Sequence, residues 1–211
     1  SRRDFVKTSV AAGVLSAVPF SRVRGANDDI RVAVVGIRNQ GSNHIEWFSK
    51  IPGVRVAAIC DADSSFLDRE ARKFTDRGEK VDTYVDYRKL LEDKSIDAVI
   101  TATPNHWHAL VTVWACQAGK DVYVEKPVCH NIWEGRRMVE AARKYKRVVQ
   151  SGTQRRSDEG LREAIEYIRQ GNLGKMRFVR SFIYVRRDSI GKVDGPQPVP
   201  PTVDYNLWCG P

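Results

Sequence analysis

The sequence predicts an α/β protein, a Rossmann-type doubly wound parallel sheet followed by the start of a second α/β domain. Three observations carry this reading. Short β-branched apolar runs alternate with longer stretches of helical periodicity. The first run passes straight into a glycine turn that opens a helix, with the spacing of a dinucleotide fingerprint. Polar clusters then stand at the ends of four runs, which is where open α/β sheets hold ligands. The expected organisation is a signal region at 1–26, a nucleotide-binding domain at 29–150, and an incomplete α/β substrate domain at 151–211.

The chain begins with Arg2-Arg3, then Phe5, Lys7 and an apolar stretch over 9–20, the layout of a twin-arginine export signal. An exported, periplasmic protein is expected, routed so that it folds and takes up a cofactor before it leaves. The apolar stretch is short and rich in small residues, and no other segment reaches spanning length, so no membrane span is expected. From residue 29 the buried strands are predicted at 30–35, 54–59, 98–101 and 122–124, each bounded by Gly, Asp or Pro. Helices are predicted at 42–49, 64–76, 107–118 and 133–144. After Val148-Val149 a helix is expected over 158–170, stopped by Gly171, then one long strand over 176–185 and an irregular proline-rich stretch over 195–201.

The apolar fraction of 42% supports a real core. The net charge is +9, of which the five basic residues and one acid of the signal region hold +4. The remaining +5 is spread along solvated helical faces without a nucleic-acid motif, so no nucleic-acid partner is expected. Cys60, Cys116, Cys129 and Cys209 lie far apart with no C-x-x-C pair, which argues against a disulfide scaffold and against a metal site.

Gly36-Ile37-Arg38-Asn39-Gln40-Gly41 follows the first strand. Gly36 permits the tight turn, and Gly41 lets helix and strand pack closely, so that helix N–H groups can hold a pyrophosphate. Arg38 replaces the middle glycine of the fingerprint, and its guanidinium is free to contact a phosphate instead. Asp61 lies 25 residues after Gly36, at the end of the second strand, near where an acid accepts the ribose hydroxyls of an adenosine. A carboxylate there favours NAD over NADP. The same acid is open to an N-cap role, to which Asp63 and Ser64 have equal claim. A further strand end carries Thr103-Pro104-Asn105-His106-Trp107-His108 and another carries Glu125-Lys126-Pro127, all aimed at one crevice.

These residues resemble the glucose–fructose oxidoreductase / inositol dehydrogenase / MocA family, from the glycine turn through Cys60-Asp61-Ala62-Asp63, the Thr-Pro-Asn-x-x-His at 103–108 and Glu125-Lys126-Pro127. The stretch 152–157 and the end 205–211 resemble its exported members. The resemblance implies hydride transfer between nicotinamide and a hydroxyl-bearing carbon of a sugar or cyclitol. It implies that Lys126 orients the substrate hydroxyl and helps its deprotonation, with a cis bond before Pro127. It places Gly36, Arg38, Asn39, Gly41, Asp61, Thr103, Pro104, Asn105, His108, Glu125 and Lys126 around the cofactor, and Gln154 and Arg155 toward substrate. Two alternatives stay open. One is a redox-assisted NAD-dependent glycosidase, the other a non-catalytic cofactor-binding module. The family's Asp-x-x-x-His element is matched nowhere in the 211 residues, so the chain by itself is expected to bind NAD weakly and to be inactive. A homo-oligomer is expected of the full-length protein.

Overall fold

The computed structural model describes residues 29–210. Six strands form one sheet: β1 (Ile30–Val35), β2 (Val54–Cys60), β3 (Asp82–Tyr84), β4 (Ala98–Thr101), β5 (Asp121–Glu125) and β6 (Val149–Gly152). Every pairing is parallel and the order is β3-β2-β1-β4-β5-β6. The chain runs outward one way from β1 to β3, then returns and runs the other way from β4 to β6. The gap between the ends of β1 and β4 is therefore the switch point, where such sheets open a crevice. The sixth strand crosses the expected domain boundary at 150/151.

Alternate residues of each strand enter opposite faces, and helices cover both. Val32 and Val34 of β1 pack with Ile45 of α1 (Gln40–Ser49) and with Leu67 and Phe74 of α2 (Ser64–Asp76). Ala33 and Val35 pack on the other face. There they meet Leu90 of α3 (Tyr87–Glu92), Val111 and Ala115 of α4 (His108–Gln117), and Met138 of α5 (Ile132–Tyr145). The central strands are buried on both sides, so they read as continuous apolar runs rather than alternating ones. Side-chain caps fix most helix starts: Asp63 accepts from the Ser65 N–H at 3.0 Å, Asp86 from Arg88 at 2.9 Å and Asn131 from Glu134 at 2.9 Å. The N-cap of α2 is thus Asp63, and Asp61 is left for another task.

Beyond the sheet lie α6 (Glu159–Arg169) and α7 (Tyr205–Cys209). The strand expected over 176–185 is corrected: the segment pairs with no strand among the described residues, and Phe178, Ile183 and Tyr184 are exposed. The β-branched and aromatic composition is that of a strand, but a strand exists only through a neighbour that accepts and donates its ladder bonds. The sequence reading also passed over β3, α3 and α7, which have three, six and five residues and are too short for a period to show. Residues 1–26, the expected export signal, lie outside the described residues. Among the described residues no helix is long and apolar enough to cross a membrane.

Candidate functional site: a cleft at the switch point

A cleft of about 490 Å³ opens over the carboxyl ends of β1, β2, β3 and β4. Its floor is the glycine turn. Gly36 has φ of 76°, and a Cβ there would lie 2.7 Å from the Thr103 backbone nitrogen. A Cβ on Gly41 would lie 1.8 Å from the Gly36 carbonyl oxygen, so the start of α1 sits directly against the turn. Arg38, Asn39 and Gln40 line the cleft between them. The Asn39 side chain gives α1 no cap. By contrast α2, α3, α5, α6 and α7 each carry an Asp or Asn cap. The Gly41 N–H donates to the Arg38 carbonyl at 2.8 Å, and the remaining N–H groups of the first turn, with the positive end of the α1 dipole, meet no competing side-chain cap. That is the fit a pyrophosphate requires.

Asp61 stands beside the turn. Its Oδ2 accepts from the Ile37 N–H at 3.0 Å and its Oδ1 from the Asp63 N–H at 3.0 Å. Each oxygen keeps a second lone pair, and the residue lines the cleft. Burial pushes its carboxyl up, while these two N–H groups and the Arg38 charge pull it back. Arg38 lines the cleft. Its guanidinium lies over the Phe66 ring, 4.4 Å from the centroid, with Arg69 at 4.3 Å on the same ring.

Of the residues expected around the cofactor, Gly36, Arg38, Asn39, Asp61, Thr103 and Pro104 line the cleft, and Gly41 packs under it. Asn105 is exposed in a 3₁₀ turn, Asn105–Trp107, that leads into α4. His108 and Glu125 are placed one layer deeper than the resemblance implied. His108 is buried, with Nδ1 2.6 Å from the Pro127 carbonyl oxygen and Nε2 2.9 Å from that of Thr103, so it ties the β4 loop to the β5 loop. Lys126 is exposed at the end of β5, and the Lys126–Pro127 bond is cis.

Glu125 is buried and gathers four donors. Its Oε1 accepts from Gln40 Nε2 at 3.1 Å, from His44 Nε2–H at 2.9 Å and from Gln154 Nε2. Its Oε2 accepts from the Lys126 backbone N–H at 3.1 Å. Burial pushes the Glu125 carboxyl up, but the bonds from Gln154, the Lys126 N–H and His44 outweigh it and hold it below the usual range. Burial holds His44 below the ordinary histidine range against the pull of Glu125. Gln154, expected on the substrate side, thus turns inward to Glu125, while Arg155 is exposed and faces Asp158 at 3.8 Å. Sequence reasoning missed Gln40 and His44. The only available signal was a histidine on the apolar side of a helix, next to Ile45, which reads equally well as core. It also missed the aromatic wall made by Trp107, Trp114 and Trp208.

Comparison with known proteins is consistent with this geometry. The family described as an oxidoreductase family with an NAD-binding Rossmann fold (GFO_IDH_MocA) matches residues 30–153. A glycosyl hydrolase family 109 protein of Shewanella pealeana is 30% identical over 203 residues, covering 83% of this chain and 44% of that protein. An inositol 2-dehydrogenase of Salmonella typhimurium is 30% identical over 180 residues, covering 84% of this chain and 52% of that protein. The crystal structure of scyllo-inositol dehydrogenase from Lactobacillus casei with bound NAD(H) and scyllo-inositol superposes with a TM-score of 0.63 at 25% identity, covering 69% of this chain and 42% of that one. The chain spans about half the length of the relatives it matches.

Proposed function

We propose that this chain, which belongs to the Gfo/Idh/MocA oxidoreductase family, serves NAD-dependent hydride transfer at a hydroxyl-bearing carbon of a sugar or cyclitol. The observation that carries the reading is the convergence of the glycine turn, the uncapped start of α1 and Asp61 on one cleft at the switch point. NAD, when bound, supplies the hydride acceptor. The turn and the first N–H groups of α1 hold the pyrophosphate. Asp61 accepts from the adenosine ribose through the lone pairs that Ile37 and Asp63 leave free, and its charge disfavours a 2′-phosphate. Lys126, solvent-facing at the β5 end, orients the substrate hydroxyl and assists its proton transfer. The substrate class rests on relatives named as inositol dehydrogenases. Incubating the full-length protein with NAD and a panel of sugars and cyclitols is the test. NADH accumulation with one of them is expected, and none across the panel would remove the dehydrogenase reading.

A second reading is favoured by the family 109 relative. Oxidation of a ring carbon, elimination of the glycosidic substituent together with a neighbouring proton, addition of water across the double bond so formed and re-reduction on retained NAD would give net hydrolysis with no NADH accumulation, and assays on aryl glycosides separate the two. Export and, at full length, a homo-oligomer complete the proposal. Sedimentation of the full-length protein as a monomer would remove the oligomer.

A further inference from the structure

Resting on the dinucleotide reading, we propose that residues 202–208 form a strap across the cleft, with Leu207 and Trp208 holding the adenosine half of the bound cofactor. In the sheet, β2 and β4 flank β1. The strap is tied to the loops after both. On the β2 side the Ser64 N–H donates to the Thr202 carbonyl at 2.9 Å, and the Asp204 N–H donates to the Ala62 carbonyl at 2.8 Å. Asp63 and Val203 form an antiparallel bridge between these bonds. On the β4 side the Trp208 carbonyl accepts from the Trp107 indole N–H at 3.2 Å and lies 3.0 Å from His106 Nε2. Asp204 caps α7, accepting from the Leu207 N–H at 3.0 Å, which secures the start of the turn that carries Leu207 and Trp208.

The strap therefore crosses the space above the phosphate turn, anchored on either side of it. Leu207 and Trp208 line the same cleft as Gly36 and Asp61, and Trp107 and Trp114 continue that apolar surface. A purine has two apolar faces and a polar edge, which suits indole and leucine walls next to a carboxylate that takes the ribose. Binding residues are thus supplied from more than 140 positions beyond Asp61, and the nucleotide is enclosed by two separate stretches of chain.

Calorimetric titration of the chain with ADP-ribose, which is NAD without its nicotinamide and so keeps the adenosine, tests the contact. Trp208→Ala leaves both tethering bonds to the backbone carbonyl in place and should weaken ADP-ribose about tenfold, the scale of one base stacked on an aromatic ring. A loss under about twofold overturns the strap. Hydrogen exchange of the unaltered chain gives a reading that needs no variant: the Ser64 and Asp204 amides should exchange about tenfold more slowly with NAD bound. Unchanged exchange in the presence of bound NAD overturns the proposal. If the unaltered chain binds neither ADP-ribose nor NAD, the dinucleotide reading itself falls, and the strap with it.

Discussion

At Glu125 a single buried carboxylate accepts from Gln40, His44, Gln154 and the Lys126 backbone, a density of donors that only the ionised form sustains. The group connects α1, which carries the phosphate turn, with the residue assigned to the substrate hydroxyl. Its pH dependence follows from the shifts of the pair. His44 and Glu125 are both held below their ordinary values, 6.5 and 4.5, so the unfolded chain binds the extra protons. Their contribution to stability is complete above the ordinary histidine value and is lost as pH falls, first through His44 and then through Glu125. Melting temperatures between pH 7 and pH 4 should decline accordingly, and His44→Gln, which keeps a donor but cannot titrate, should flatten the upper part of the slope; identical slopes would remove His44 from the account. At the other end of the cleft, Asp61→Ala should narrow the preference for NADH over NADPH in fluorescence titrations, and Arg38→Ala should widen it, because Arg38 is the cation beside Asp61. Equal affinities for the two cofactors in the unaltered chain would sink the assignment of Asp61. Lys126→Ala belongs to the chemistry alone. In the full-length protein turnover should fall by about 10²–10⁴-fold, the worth of a group placed for proton transfer, with NAD affinity nearly unchanged.

The element that concentrates most of these roles is the β1–turn–α1 unit. Gly41→Ala would set a methyl group 1.8 Å from the Gly36 carbonyl oxygen, and backbone rather than a flexible side chain would have to move. A cost of about 1–3 kcal/mol or more is expected in denaturant unfolding, as for overpacked cores, with dinucleotide binding lost in parallel; a variant of unchanged stability would show that the turn yields. This unit was legible in the sequence because a strand, two glycines and a helix follow one another within a dozen residues, and each leaves a local mark. Asp61 was legible for the same reason, as an acid at a strand end. The Glu125 network was not, since His44, Glu125 and Gln154 lie on three elements far apart in sequence, and no local pattern tells a buried hydrogen-bonded glutamate from one that faces a ligand. The expected strand at 176–185 failed for the complementary reason: propensity is local, but pairing is not. The aromatic wall from Trp208 needed the return of the chain to the cleft, which only the fold supplies.

For the molecule as a whole, order of assembly matters. The cleft is built from the ends of four strands plus a segment more than a hundred residues later, so it is complete only after the sheet has formed and residues 202–208 have docked. A cofactor held in such a cleft is taken up by folded protein. The export proposed above would require the cofactor to be met outside the cell or carried out by protein already folded, and Arg2-Arg3 ahead of the apolar stretch at 9–20 has the layout of a signal for the route that transports folded proteins. Replacing both arginines with lysine keeps the charge and the apolar stretch but removes the paired guanidinium groups, whose planar bidentate donors lysine cannot reproduce. In fractionated cells the double substitution should leave the protein in the cytoplasm, folded and able to bind NAD, while the unaltered chain reaches the periplasm. Delivery of the doubly substituted protein at the normal level would show that the segment is not a twin-arginine signal, and cofactor loading before export would lose its support.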